Sequence, residues 1–253
     1  MAKVLLEARD IAKHFGGVKA LREVSLTINE GEIYGLIGPN GAGKTTFFNC
    51  LTGLYIPDGG GFTFAGEPLK TDAPQQAAAR GIARTFQNIR LFAQMTALEN
   101  VMVGRHVRTQ AGVFGAILQN KATRDEEAAI RQRAMDLLHY VRIEDRADDV
   151  ARNLSYGDQR RLEIARALAT DPKLLCLDEP AAGMNATETE ELRDLIDGIR
   201  RDGTTVLLIE HDVKLVMGLC DRVAVLDYGA LVIEDVPAVV QKDQRVIEAY
   251  LGA

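Results

Sequence analysis

The residues best suited to chemistry form a single run. They are Gly38, Pro39, Asn40, Gly41, Ala42, Gly43, Lys44, Thr45 and Thr46. The run fits G-x-x-x-x-G-K-[ST], a loop whose glycines let backbone N–H groups approach phosphate oxygens closely. In such a loop, the Lys44 ammonium reaches the β- and γ-phosphates and the Thr45 hydroxyl holds Mg²⁺. An ordinary glycine-rich turn is the plain alternative, but the Lys-Thr pair at this offset disfavours it. The run predicts a site for ATP or GTP.

Two adjacent carboxylates, Asp178 and Glu179, follow an apolar run at residues 174–177. Such a run predicts a buried strand, and ligands of open α/β sheets bind at the carboxyl ends of strands. Phosphoryl transfer to water needs one carboxylate to hold hydrated Mg²⁺ and another to orient and deprotonate the water. We assign Asp178 to the first role and Glu179 to the second. The alternative is a strand that merely ends in a polar turn.

The elements that must position these groups can be predicted from apolar patterning. The apolar segment 33–37 before the loop predicts a buried strand, and residues 47–51 after it can start a helix. Further strands are predicted at 3–9, 22–28, 62–65, 174–177 and 205–209. Helices are predicted at 96–103, 124–139, 159–169 and 186–201, and the chain should end in a hairpin around 227–229 and one helix from 237 to about 251. The pattern favours an α/β core interrupted by a mostly helical insert.

Composition narrows the class of protein. The chain is 47% hydrophobic and 26% charged, which is typical of an ordinary soluble protein, and its 253 residues are enough for one large α/β domain or a core with a subdomain. A net charge of −6 gives no reason to expect a nucleic-acid partner. No apolar stretch approaches the ~18 residues that predict a membrane span, and the acidic N-terminal region argues against a signal peptide. The three widely spaced cysteines are expected to be reduced core residues.

A further segment carries a family resemblance. Residues 154–159, LSYGDQ, precede an apolar-periodic helix, so Ser155 is expected to cap that helix. Together with the loop and the carboxylates, this segment resembles the signature of ATP-binding cassette (ABC) ATPases, and the resemblance covers nearly the whole chain. It implies a RecA-like P-loop core with an antiparallel β subdomain and an inserted helical subdomain. The core would comprise 1–87 and 160–253, and the insert 88–159.

The resemblance also implies roles for single residues. Ser155 and Gly157 would contact the γ-phosphate of ATP bound to the opposite subunit. Phe15 would stack on adenine, although a core phenylalanine is the alternative. Gln87 would contact Mg²⁺ and water and couple to the transport subunits, and His211 would lie near the γ-phosphate, where a plain polar strand end is the alternative.

Three residues depart from the usual family pattern. Tyr156 and Asp158 replace the glycine and glutamine of the usual Ser-Gly-Gly-Gln signature. The carboxylate of Asp158 suits the first turn of a helix by about 0.3–1 kcal/mol, but it can repel a neighbouring phosphate. Asn185 replaces the usual aspartate of the loop through which the two nucleotide sites communicate. Normal coupling between the sites is therefore not assumed.

Several segments resemble one group within the family. Residues 81–92, 95–106, 154–157 and 179–185 are similar to the larger ATPase subunit of bacterial branched-chain amino-acid importers, and so is the insert around 111–118. This implies a peripheral protein on the cytoplasmic face of the inner membrane. Its partners would be a second ATPase subunit, identical or paralogous, two membrane permease subunits and, indirectly, a periplasmic binding protein. The apolar stretch at 111–118 is expected either to pack internally or to touch a membrane subunit.

Three other functions stay open. The first is the ATPase of another two-component system, such as urea import or lipopolysaccharide export. The second is a soluble ABC ATPase of DNA repair or translation, which the single cassette and the lack of sustained heptads between Gln87 and Ser155 disfavour. The third is a phosphate-loop kinase for a small molecule, which would need no signature helix.

Overall fold

The computed structural model describes residues 3–105 and 121–251. The predicted contact segment at 111–118 lies outside these residues. The strands are β1 (Val4–Phe15), β2 (Val18–Asn29), β3 (Ile33–Ile37), β4 (Gly59–Phe64), β5 (Glu67–Leu69), β6 (Ile82–Arg84), β7 (Leu174–Asp178), β8 (Thr205–Ile209), β9 (Arg222–Asp227) and β10 (Ala230–Asp235). The helices are α1 (Lys44–Leu51), α2 (Pro74–Arg80), α3 (Ala97–Arg105), α4 (Lys121–Tyr140), α5 (Tyr156–Leu168), α6 (Ala186–Arg201), α7 (Val213–Leu219), α8 (Pro237–Val240) and α9 (Gln244–Leu251).

Contacts divide the chain into two compact units. The first unit contains residues 1–84 and 173–253, and the second contains residues 85–172. Helix α5 falls in the second unit, because it packs against α3 and α4. The sequence had instead assigned residues from 160 onward to the core. The functional division at 88–159 stays a prediction.

The first unit contains two sheets. The larger sheet has the order β10-β9-β3-β8-β7-β6, and all its neighbours are parallel except the β9–β10 hairpin. Strands β3, β7 and β8 are buried at every residue, as continuous apolar runs predict for strands covered on both faces. The smaller, antiparallel sheet has the order β2-β1-β4-β5. One hydrophobic core joins the inner face of this sheet to β3 and to Phe47 and Phe48 of α1.

The second unit is a helical bundle. Helices α3 and α5 approach closely at Gly104, where an added Cβ atom would come within 2.3 Å of the Arg166 carbonyl oxygen. Two short 3₁₀ turns, Glu144–Arg146 and Ala151–Asn153, connect α4 to α5. Within residues 3–105 and 121–251, no helix is long and apolar enough to cross a bilayer.

Two sequence predictions need correction. The single helix predicted from 237 to about 251 is wrong, because the chain forms α8 and α9 with a break at residues 241–243. The Asp243 carboxylate accepts a hydrogen bond of 2.8 Å from the Arg245 N–H, so its side chain starts a new helix. Strands β1 and β2 are also longer than predicted. Shifts in their pairing register let the two strands stay paired beyond the segments in which apolar and polar residues alternate regularly.

Candidate functional site

The phosphate loop leaves the end of β3 and enters α1 directly. At Gly38, φ is 150° and an added Cβ would lie 2.1 Å from the Leu226 carbonyl oxygen, so the turn requires glycine. Gly43 precedes α1 with φ of 102°, and no side chain caps this helix. The first N–H groups of α1 therefore have no side-chain cap, and such groups at a helix N-terminus can bind phosphate.

Lys44 is the first residue of α1, directly after the phosphate loop. Its side chain is buried, and Nζ donates hydrogen bonds to the carbonyl oxygens of Gly38 at 2.7 Å and Pro39 at 3.0 Å. Burial lowers the pKa of Lys44, while the nearby carboxylates of Glu179 and Asp178 oppose that shift. The ammonium is therefore influenced by both the carboxylate predicted to hold Mg²⁺, Asp178, and the predicted catalytic carboxylate, Glu179. Phosphate oxygens could replace the two carbonyls as its acceptors.

Asp178 ends β7 and is 2% exposed. Its Oδ2 lies 3.4 Å from Nη2 of Arg84, the last residue of the adjacent strand β6. Nη1 of Arg84 donates to Asn49 Oδ1 at 2.9 Å and Thr52 Oγ1 at 2.8 Å, both in the segment formed by α1 and its C-cap. Arg84 thus ties the carboxylate to α1. Sequence reasoning missed Arg84, since its only signal is an arginine at the end of a three-residue strand.

Glu179 and His211 form the closest contact between predicted catalytic side chains. His211 Nε2 lies 2.5 Å from Glu179 Oε1. Glu179 has a left-handed φ of 49°, and its N–H donates to the Ile209 carbonyl oxygen at 2.8 Å, so this turn is held by the end of β8. The Glu179 residue is 7% exposed, whereas the His211 side chain is 45% exposed.

Glu210 is a second residue that the sequence reasoning missed. It is 3% exposed, and its carboxylate accepts hydrogen bonds from the N–H groups of Ala181 at 2.7 Å and His211 at 3.1 Å. Burial raises its pKa, the backbone N–H donors oppose this, and Glu179 reinforces it. Glu210 therefore links the turn after Glu179 to the turn that carries His211. Its signal was the same as that of Asp178: an acid directly after a buried strand.

Ser155 caps α5 in the helical unit. Its Oγ accepts a hydrogen bond from the Asp158 N–H at 3.1 Å and donates to Asp158 Oδ2 at 2.8 Å. The Ser155 hydroxyl proton therefore points to the carboxylate of Asp158, the residue that replaces the usual glutamine of the signature. Gly157 lies in the first turn of the same helix.

The remaining predicted residues lie at different places. Gln87 belongs to the helical unit, and its carbonyl oxygen accepts a hydrogen bond from Arg160 at 2.8 Å. Phe15 ends β1, is 44% exposed, and contacts Tyr55 edge to face at 5.2 Å between ring centroids. The first unit contains Lys44, Asp178, Glu179 and His211. The roles of these four residues stay predictions, as do the nucleotide roles of Phe15, Gln87 and Ser155.

The chemistry of the donor set fits Mg²⁺ and a triphosphate. Thr45 is exposed at the start of α1, and Asp178 supplies a buried carboxylate close to Lys44. Hydroxyl, carboxylate and phosphate oxygens are the ligands that Mg²⁺ prefers. Among the described residues, no group of three or more His, Cys, Asp and Glu side chains is arranged to hold a metal ion without such phosphates.

Comparisons with known proteins agree with this geometry. The family model described as "ABC transporter" matches residues 21–182. The chain is 47% identical, over 253 residues, to the high-affinity branched-chain amino acid transport ATP-binding protein LivG of Salmonella typhimurium, covering 100% of this chain and 99% of that protein. The fold is similar to the crystal structure of the ADP conformation of an ATP-binding cassette of an ABC transporter, with a TM-score of 0.86 and 31% identity over 99% of each chain.

A third relative is a dimer. The dimeric structure of a post-hydrolysis ATP-binding cassette bound to ADP and phosphate has a TM-score of 0.78 and 26% identity, covering 92% of this chain and 99% of that one. The predicted fold class, a P-loop ABC ATPase core with an antiparallel β subdomain and a helical insert, is confirmed. The family model, the full-length relative and the solved structures all indicate the same family, and the chain belongs to the ABC transporter family.

Proposed function

We propose that this chain is the ATP-hydrolysing subunit of an importer for branched-chain amino acids. One observation carries the hydrolytic part of the proposal: Glu179 Oε1 lies 2.5 Å from His211 Nε2, and the carboxylates of Glu179 and Asp178 both counteract the lowering of the pKa of the buried Lys44 ammonium. A cation for the phosphates, a carboxylate for the metal and an oriented base are the parts that phosphoryl transfer to water needs.

The residues divide the work as follows. The uncapped N–H groups of α1 bind the phosphates, and Lys44 exchanges its two carbonyl acceptors for β- and γ-phosphate oxygens. Thr45 and Asp178 would hold Mg²⁺, with Gln87 as the further ligand that the family resemblance implies, and the metal would supply positive charge to neutralise the phosphates. Glu179 would accept the proton of the attacking water, and His211, whose Nε2 contacts Glu179 Oε1, would lie near the γ-phosphate.

The active form proposed is a pair of ATPase subunits. Each ATP would lie between the phosphate loop of one subunit and the Ser155 end of α5 of the other, because a serine hydroxyl and free helix N–H groups form a second anion site. Binding would close the pair and hydrolysis would reopen it. The dimeric relative bound to ADP and phosphate supports a pair of ATPase subunits.

The transported substrate is inferred from relatives. The full-length similarity to LivG, named for branched-chain amino acid transport, supports leucine, isoleucine and valine as substrates. The same similarity supports two permease subunits, a binding protein outside the membrane, and a peripheral position on the cytoplasmic face. No described residue is assigned to an amino acid, so this part rests on similarity alone.

Reconstitution tests the proposal. The chain is combined in proteoliposomes with candidate permease subunits and binding proteins, and ATP turnover is measured with leucine, with urea and without substrate. We expect leucine and its binding protein to stimulate turnover, and Glu179→Gln to abolish the stimulation. If only urea, or only a lipopolysaccharide-export assembly, stimulated ATP turnover, the chain would instead be the ATPase of urea import or of lipopolysaccharide export. Absence of MgATP hydrolysis in every assembly would refute the ATPase assignment itself.

A further inference from the structure

A buried arginine joins the main chain at Gln87 to the helix that carries Ser155. Arg160 lies one turn into α5 and its side chain has 0% exposure. Its Nη1 donates to the Phe86 carbonyl oxygen at 2.6 Å, and its Nη2 donates to the Gln87 carbonyl oxygen at 2.8 Å. The planar guanidinium thereby spans two consecutive peptide groups, a geometry that lysine cannot reproduce.

Glu163 completes the connection from the next turn of the same helix. It is 1% exposed, and its Oε2 accepts from Arg160 Nη1 at 3.0 Å. Its Oε1 accepts from the backbone N–H groups of Phe86 at 3.4 Å and Arg90 at 3.2 Å. The Arg160–Glu163 ion pair on α5 therefore binds both carbonyl oxygens and N–H groups of the backbone in residues 86–90.

Tyr156 explains one departure from the usual signature. Its hydroxyl oxygen accepts a hydrogen bond from Arg160 Nη2 at 3.1 Å, and its ring lies 5.7 Å from the guanidinium carbon. The usual glycine at this position has no group that could make either contact. The tyrosine thus orients the same nitrogen that holds the Gln87 carbonyl oxygen.

We propose that Arg160, oriented by Tyr156 and Glu163, is a positioning residue that makes the Gln87 segment and the Ser155 end of α5 move as one piece. The inference rests on the proposed function, in which Gln87 serves Mg²⁺ and Ser155 serves the nucleotide of the opposite subunit. A rigid connection between them would transmit the state of one nucleotide site to the other.

The first test measures the connection without any activity. Amide hydrogen exchange is followed at residues 86–90 in Tyr156→Phe and in the paired variant Arg160→Met/Glu163→Leu. The pair is changed together because a lone buried Glu163 charge could unfold the unit, whereas apolar replacement of both partners is often tolerated. Arg161→Met is the control, since Arg161 is the next residue of α5 and donates to the Val141 carbonyl oxygen at 3.1 Å. We expect faster exchange at Phe86 and Arg90 in both test variants and not in the control.

The second test measures the functional consequence in the reconstituted assembly. We expect the paired variant to lower substrate-stimulated kcat about 10–100-fold and to raise the Mg²⁺ requirement, as loss of a supporting residue usually does. In a Gln87→Ala background, the same pair should change kcat by no more than about twofold, because the two changes act on one element. ATP affinity, which depends on the Lys44 loop, should be unchanged.

Two results would overturn the inference. One is equal exchange at residues 86–90 in the paired variant and in Arg161→Met. The other is the same fractional loss of kcat with and without Gln87, which would mean that the pair only supports folding. If the wild-type assembly lacked any stimulated turnover, the proposed function would fail instead, and the exchange measurement would still decide whether Arg160 holds the Gln87 segment.

Discussion

His211 Nε2 lies 2.5 Å from Glu179 Oε1, although the two residues follow different strands. Strands β7 and β8 are parallel neighbours, so their carboxyl ends bring both side chains to one edge of the sheet. The left-handed φ of Glu179 turns its carboxylate toward His211, and the Ile209 carbonyl oxygen holds that turn. The contact with His211 therefore orients the carboxylate of the proposed base.

Glu179→Gln should slow ATP hydrolysis about 10²–10⁴-fold, because the amide cannot accept the proton of the attacking water. ATP binding should be preserved, since the amide keeps the size of the side chain. Single-turnover hydrolysis and equilibrium binding of a nucleotide analogue measure the two quantities. Glu190→Gln, at an exposed position on α6, is the control. Unchanged turnover in Glu179→Gln would remove Glu179 from the role of base.

Asp158→Gln should raise ATP turnover by about two- to fivefold, equivalent to about 0.5–1 kcal/mol. In the wild type, the Ser155 hydroxyl donates to Asp158 Oδ2, so the carboxylate competes with a phosphate for that proton and also repels the phosphate. Steady-state ATPase rates measure the effect, with Asp148→Asn as an exposed control for lost charge in the same unit. A lower rate in Asp158→Gln would show instead that the carboxylate is needed.

Lys44→Ala should abolish the stabilisation that nucleotide confers on the protein. A ligand present at about a hundred times its Kd adds about 2.7 kcal/mol to the free energy of unfolding of a protein that binds it. Thermal unfolding with and without a non-hydrolysable ATP analogue and Mg²⁺ measures this difference. The exposed Lys242→Ala variant should keep the full increase in Tm. An equal increase in both variants would contradict the phosphate-binding role of Lys44.

Glu210→Gln should change how stability depends on pH. Burial raises the folded-state pKa of Glu210 above its usual 4.5, so the folded state favours the protonated acid. The stability gained from that proton is present below the usual pKa and is lost as pH rises through the raised value. A glutamine stays neutral throughout, so the free energy of unfolding of the variant minus that of the wild type should increase as the pH rises above the usual glutamate pKa of 4.5.

Urea unfolding at several pH values provides this comparison. Any hydrogen bond lost with the substitution shifts the difference by a constant amount and leaves its slope unaffected. A difference that stays flat, or decreases with rising pH, would show that the Glu210 carboxylate is stabilised as an anion by the N–H groups of Ala181 and His211.

The parts of the site that depend on local sequence could be predicted. The strand–loop–helix around Lys44 and the acids after β7 are set by short-range patterns, so the motif and the apolar run were sufficient. Arg84 could not be predicted as the partner of Asp178, because only the adjacency of β6 and β7 brings them together. Similarly, the helical pattern of α5 gave no sign that Arg160 and Glu163 are buried, since charged residues on a helix usually face water.

The break between α8 and α9 shows a related limit. Apolar periodicity continues through residues 237–251, but the Asp243 side chain competes with the helix by accepting from the Arg245 N–H. The spacing of apolar residues indicates which face of a helix is buried. It does not reveal a side-chain hydrogen bond that interrupts the helix. The order of several motifs along the chain was enough to predict the ABC fold, which the solved structures confirm, while the individual side-chain partners required three-dimensional contacts.

The burial of the three cysteines has a practical consequence for fluorescence labelling of this protein. Cys50, Cys176 and Cys220 are all buried, and burial raises the pKa of Cys50 to about 11, of Cys176 to about 12 and of Cys220 further still. Maleimide dyes attack the thiolate, which these side chains hardly form at neutral pH. A single cysteine engineered at the surface could thus be coupled selectively to a fluorophore, and the native thiols could be left in place during distance measurements.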